Sequence, residues 1–377
     1  MSTLKVNNIQ NANGTSAIAI DSSGVATFSK TLVPSSSMMY RNLIINGDMR
    51  IAQRGTNATG VTNNYATCDR FFIRNNNLGA FTITQDTNAP DGFRNSLKWD
   101  CTTADASPAA GDFANLQHRI EAQNLQHLAF GTSDAKQFTI SFWVKSSETG
   151  NAVLRATNID GSVSQGHLYT ISSANTWEYK TITFTADTSN SFDNNNGIGL
   201  TLYWYSGVGS DRTSGTLRTT TWESSTVIAD EAVGQTINIA ATVGSYINIT
   251  GVQLEVGDAA TPFEHRPYDA ELARCQRYFW KYPGIQDLCN AHLVSTTGAQ
   301  GVFKFPQTMR TSPTITTEAV TDVRVSWSAG VSISSGFNID RNSPTACIIR
   351  VTTTSLTTGQ GGFMFVDGGS MSGSAEL

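Results

Sequence analysis

Apolar and polar residues alternate with period two along much of this chain, and that alternation predicts β-strands. In residues 137–145, Phe138, Ile140, Phe142 and Val144 fall on one face. Residues 180–185 repeat the pattern. In residues 198–205, Ile198, Leu200, Leu202 and Trp204 line one face and Tyr203 and Tyr205 the other. Residues 42–48 read as a short buried strand closed by a turn, and residues 247–256 as the last strand of the same module. Strands of this kind, separated by long loops, describe an antiparallel sandwich over residues 41–268.

The flanks read differently. Residues 1–40 offer short strand candidates at 4–9, 17–21 and 25–29, separated by Asn13-Gly14 and Ser23-Gly24 turns. Strands this few and this short cannot bury a core alone. A spacer follows at Val33-Pro34-Ser35-Ser36-Ser37. Residues 269–283 predict the one helix. Asp269 is the expected N-cap, Leu272, Cys275, Gln276 and Phe279 form the stripe, and Pro283-Gly284 is the stop. The helix is expected to connect two β modules. Beyond it, strands at 301–305, 323–327, 347–351 and 363–366 predict a smaller β-sandwich over 285–377. Residues 368–377 read as a loose end.

Composition narrows the function. Of 377 residues only 15% are charged, against roughly 25% in an ordinary soluble domain, and the net charge is −5. Ser, Thr, Asn and Gly stand where charge is missing. The acidic balance argues against nucleic acid or anionic lipid as a partner. No stretch approaches the roughly 18 apolar residues of a membrane span. The N-terminus lacks a secretory pattern, so synthesis in a reducing cytosol is expected. The five cysteines are scattered, form no C-x-x-C pair, and read as small buried residues.

Catalytic signatures are missing. The five histidines form no H-E-x-x-H, and no G-x-S-x-G elbow occurs. Glu121, Asp160, Glu178, Glu223, Glu231 and Glu255 supply carboxylates, yet their spacing singles out no pair of the kind a glycosidase needs. A binding protein is the expectation. Sugar rings stack on aromatic faces, and Tyr203, Tyr205 and Trp143 point away from the core-facing side of their strands. Trp177 and Trp222 lie in polar loop sequence. These five are the candidate carbohydrate-binding residues. Burial in a subunit interface and cover by residues 206–235 are the alternatives.

Particular segments resemble a family. Leu4-Lys5-Val6-Asn7-Asn8-Ile9, Gly14-Thr15-Ser16-Ala17-Ile18, Asp21-Ser22-Ser23-Gly24 and Thr27-Phe28-Ser29-Lys30 resemble the N-terminal segment of bacteriophage tail fibres. Asn42-Leu43-Ile44-Ile45-Asn46-Gly47-Asp48-Met49 and Ile249-Thr250-Gly251-Val252-Gln253-Leu254-Glu255-Val256-Gly257 resemble the edges of a carbohydrate-binding-module jelly roll. Thr261-Pro262-Phe263-Glu264 and Tyr268-Asp269-Ala270-Glu271-Leu272-Ala273-Arg274-Cys275-Gln276-Arg277-Tyr278-Phe279 are similar to the segment that follows it in phage fibres.

The resemblance implies an all-β homotrimer hung from the virion. Residues 1–40 would be gripped by a tail or adaptor protein, and the helix stripe would meet its symmetry mates. The ligand would be a host surface glycan or protein receptor. Loops at a free tip can vary without disturbing a shaft, so specificity is expected in the distal domain, 285–377, with the jelly roll as the alternative contact. By analogy with related jelly rolls, a calcium site is implied near Asn46, Asp48 and Glu255. No other cofactor is expected. A polysaccharide-degrading fibre and a purely structural virion adaptor or head decoration are the competing readings.

Overall fold

The computed structural model describes residues 40–377 throughout and, before them, the backbone of three short strands. Those strands, Asn8–Gln10, Ser16–Ile20 and Ala26–Phe28, pair in order as an antiparallel sheet. The expected spacer at 33–37 lies outside the described residues. The chain divides into two compact units, Met1–Arg41 and Asn42–Leu377. Strand accounts for 45% and helix for 7%, so the protein is all-β.

The larger unit begins with a β-sandwich. One sheet runs in the order Glu178–Phe184, Phe138–Ser146, Tyr246–Val256, Ser96–Thr103, Ala80–Asp86, Asn57–Thr59. The other runs Glu223–Ser224, Val163–Ile171, Gly150–Asn158, Ile198–Val208, Phe113–Glu121, Phe71–Asn76, Asn63–Tyr65. Every pairing between these strands is antiparallel. The alternation explains the layering. Phe138, Ile140, Phe142 and Val144 are fully buried, and they meet Leu200, Leu202 and Trp204 from the facing sheet in one core. Phe142 packs edge-on to Trp204 at 5.9 Å between ring centroids.

The helix is shorter than its stripe suggested. It spans Tyr268–Gln276, follows Pro267, and has no side-chain N-cap, so Asp269 lies inside the first turn. Its inward residues are Glu271 and Cys275. Phe279–Pro283 is a strand, paired with Ser370–Ser374. Extending there lets Trp280 enter the second core, where it is fully buried, a gain the helical alternative would forgo. Cys275 and Phe279 are buried inside their own chain, so they are not free to meet symmetry mates. Leu272 and Gln276 stay partly exposed.

The second sandwich pairs a small sheet with a large one. The small sheet has the order Phe279–Pro283, Ser370–Ser374, Thr314–Thr317. The large one runs Gly330–Ile333, Val323–Trp327, Gly361–Val366, Gln286–Leu293, Gly298–Lys304, Ala346–Thr352, Gly336–Asp340. Trp280, Phe303, Phe305, Met364 and Met371 share its core.

Residues 368–377 are therefore no loose end. Ser370–Ser374 is the central strand of the small sheet, and Met371 is fully buried. The three residues after it are bound into the joint between the sandwiches. Arg310 donates from Nε to the Ala375 carbonyl at 2.8 Å and from Nη2 to the Glu376 carbonyl at 2.9 Å. The Glu376 carboxylate pairs with Arg70 and, at 3.1 Å, with Arg54. The Tyr65 hydroxyl reaches the Leu377 carbonyl at 3.1 Å. Alongside, Glu121 accepts two 2.8 Å hydrogen bonds from Arg277 and one from the Tyr278 hydroxyl.

Candidate functional site

The outer face of the seven-stranded sheet of the first sandwich carries a polar cleft. In Gly150–Asn158, Ala152, Leu154 and Ala156 face the core, so Arg155 and Thr157 face out. By the same alternation Tyr203 and Tyr205 face out from their strand, and Asn115 and Gln117 from theirs. The register lines these positions up across strands. Arg74, Asn115 and Tyr205 form one row, and Phe72, Gln117, Tyr203 and Arg155 the next.

A cleft of about 310 Å³ opens over the first row. The sheet supplies Arg74, Asn115, Arg155, Thr157, Tyr203 and Tyr205. The segment after Val208 folds back and adds Arg212, Ser225, Ile228 and Glu231. Glu231 organises that rim. One of its oxygens pairs with Arg155 at 2.9 Å. The other pairs with Arg212 and accepts the Tyr205 hydroxyl at 3.1 Å. The Arg212 guanidinium lies 3.8 Å from the centre of the Phe113 ring, a cation–π contact.

The two tyrosines differ in access. Tyr205 is buried beneath this rim, among Phe113, Val153 and Ala232, and burial pushes its phenol well above the ordinary value. It acts as a fixed hydrogen-bond donor. Tyr203 remains partly exposed and stacks beside Tyr205 at 6.4 Å between centroids, with 21° between planes. Thr157 is only 4% exposed, yet its hydroxyl has no hydrogen-bond partner. An unpaired buried hydroxyl costs free energy, and this one lines the cleft. The arrangement offers an aromatic face, a spare hydroxyl and several guanidinium donors to one bound molecule.

The other three aromatic candidates lie elsewhere. Trp143 is on the six-stranded sheet, beside Tyr179 at 5.3 Å between centroids. Trp177 bonds Asn88 from its indole nitrogen at 3.1 Å. Trp222 closes one end of the first core. It packs against Phe130 and Phe138, and its indole donates to the Thr185 carbonyl at 2.8 Å. Only Tyr203 and Tyr205 share the cleft.

The side chains expected to hold calcium each have a protein partner. Asn46 accepts the Ile51 amide at 2.9 Å through Oδ1. Asp48 pairs with Arg50 at 2.9 Å, beside a separate cavity that also contains Phe93, His265 and Tyr268. Glu255 accepts hydrogen bonds from Thr261 and Gln253. Among the described residues no group of three His, Cys, Asp or Glu side chains is placed to hold a metal ion.

Sequence reasoning missed Arg74, Arg155, Arg212 and Thr157. The alternation in residues 150–158 already put Arg155 and Thr157 opposite the apolar positions. Nothing in the sequence aligned them with Tyr203 and Asn115.

The chain matches no family model and no curated protein. Among solved structures it is similar to the enzymatically active domain of a bacteriophage CBA120 tailspike protein. The TM-score is 0.32 and the identity 14%, over 58% of this chain and 22% of that one. It is also similar to TmCBM61, solved with β-1,4-galactotriose, with TM-score 0.28 and 10% identity over 57% and 99% of the two chains. A family 11 carbohydrate-binding module from Clostridium thermocellum, solved with a mixed-linked tetrasaccharide, gives TM-score 0.25 and 12% identity over 59% and 97%.

Proposed function

We propose that this protein binds a glycan in the cleft of Tyr203 and Tyr205, and that it does so as the receptor-binding fibre of a phage virion. The observation that carries the binding reading is the unpaired Thr157 hydroxyl in the same cleft as a partly exposed tyrosine ring. A sugar would stack on Tyr203 and satisfy Thr157, with the Arg155–Glu231–Tyr205 network holding the surface in shape. Binding rather than hydrolysis is the reading because Glu231 is the one carboxylate lining the cleft, and it is tied to two arginines. Glycoside hydrolysis ordinarily uses two, one of them protonated.

The fibre role draws its support from the residues quoted above, namely the segments of 4–30, 42–49 and 249–279, and from a surface low in charge. In this reading residues 1–40 anchor the chain to a tail or adaptor protein. Three copies around an axis would turn weak single sites into firm attachment. Soluble full-length protein should block infection of a susceptible host, and the Tyr203→Ala variant should block it far less. Undiminished infection at saturating protein would discard the receptor-binding role.

A further inference from the structure

The charges of the cleft point to an anionic polysaccharide, one bearing carboxylate or sulfate groups, as its ligand; this inference rests on the glycan-binding reading above. The protein as a whole is acidic, at −5, yet this cleft is lined by three arginines and a single carboxylate. Both oxygens of Glu231 are taken, one by Arg155 and one by Arg212. Arg74 is left over. Its guanidinium sits 5.0 Å from the centre of the Phe113 ring, and it has no carboxylate partner among the described residues. The Nε of Arg212 also lacks a hydrogen-bond partner.

Excess positive charge around a concavity raises the local concentration of anions at its opening, and Arg74 stands exposed at this one. A neutral sugar would leave that excess uncompensated. A uronate or sulfated sugar would answer it, since a guanidinium presents two parallel donors that match two oxygens of a carboxylate or sulfate. The geometry then divides the work. Tyr203 takes the ring, Thr157 a hydroxyl, and Arg74 the anionic substituent.

The test is titration of the full-length chain with matched polymers. These are polygalacturonate against neutral galactan, and dextran sulfate against dextran. The expected result is at least about tenfold tighter binding of an acidic polymer than of its neutral counterpart, weakening as salt is raised. Arg74→Gln should lose about tenfold on the acidic polymer. Arg350→Gln, on the second sandwich, should lose nothing. Preference for one acidic polymer over the other identifies the anion. Equal binding of acidic and neutral polymers, unmoved by salt and by Arg74→Gln, overturns this inference and leaves the glycan cleft standing. Binding of acidic polymers that survives both Tyr203→Ala and Arg74→Gln overturns the inference and the cleft reading together.

Discussion

Arg70 and Glu376 form an ion pair that joins the first strands of one sandwich to the last residues of the other. The Arg70 side chain is wholly enclosed, Glu376 is 9% exposed, and the Tyr278 ring covers the guanidinium at 3.5 Å. Removing one partner strands the other charge in a dry site. Glu376→Ala should cost about 3 kcal/mol, read as a lower urea midpoint. Replacing both, as Arg70→Met with Glu376→Leu, should recover much of that loss.

The same joint sets a pH window. Burial pushes Asp69 up to about 7, against the pull of Arg54 and Gln53. Its folded form therefore favours the proton, so this contribution is complete below about 4 and is lost as pH rises through 7. Glu121 runs the other way. Burial would raise it, but hydrogen bonds from Arg277 and Tyr278 prevail and hold it below the ordinary range. Its contribution is present above the unfolded value and is lost as pH falls through the lower folded one. Urea midpoints should peak in mildly acidic buffer. Asp69→Asn should flatten the alkaline flank and Glu121→Gln the acid one. A midpoint still rising between pH 6 and 8 would contradict the Asp69 assignment.

Gly373 leaves room for Trp280. A Cβ there would stand 2.5 Å from the indole ring, and both the strand and the tryptophan are fixed by the core. Gly373→Ala should destabilise the second sandwich by about 2 kcal/mol, measured by thermal unfolding.

Trp222 packs against the first core and does not line the Tyr203–Tyr205 cleft. Trp222→Ala opens the end of the core beside Phe130 and Phe138 and should cost about 3 kcal/mol, with glycan affinity unchanged at temperatures where the variant is folded. A clean loss of affinity with full stability would move Trp222 into the site.

What the sequence shows and what it hides follow from physics at particular residues. Alternation in 137–145 and 198–205 is a local signal, and it located strands and inward faces. The row of Arg74, Asn115 and Tyr205 is a matter of register between distant strands, which one sequence does not encode locally. The C-terminal segment misled for a related reason. Gly368-Gly369-Ser370-Met371-Ser372-Gly373-Ser374 has the composition of a loose end, yet its glycines and serines suit a strand pressed against Trp280. The helix stripe was legible up to Cys275. Past it, Phe279 kept the helical spacing while pairing with Ser374 in a sheet.

Glycan binding in the proposed Tyr203–Tyr205 cleft depends on the partly exposed Tyr203 ring. Isothermal titration of a bound polysaccharide against wild type, Tyr203→Ala and Trp177→Ala tests it most directly. The account predicts a loss of about tenfold for Tyr203→Ala and wild-type affinity for Trp177→Ala, with unfolding midpoints unchanged in both. Wild-type affinity for Tyr203→Ala, with the loss appearing in Trp177→Ala, would contradict it.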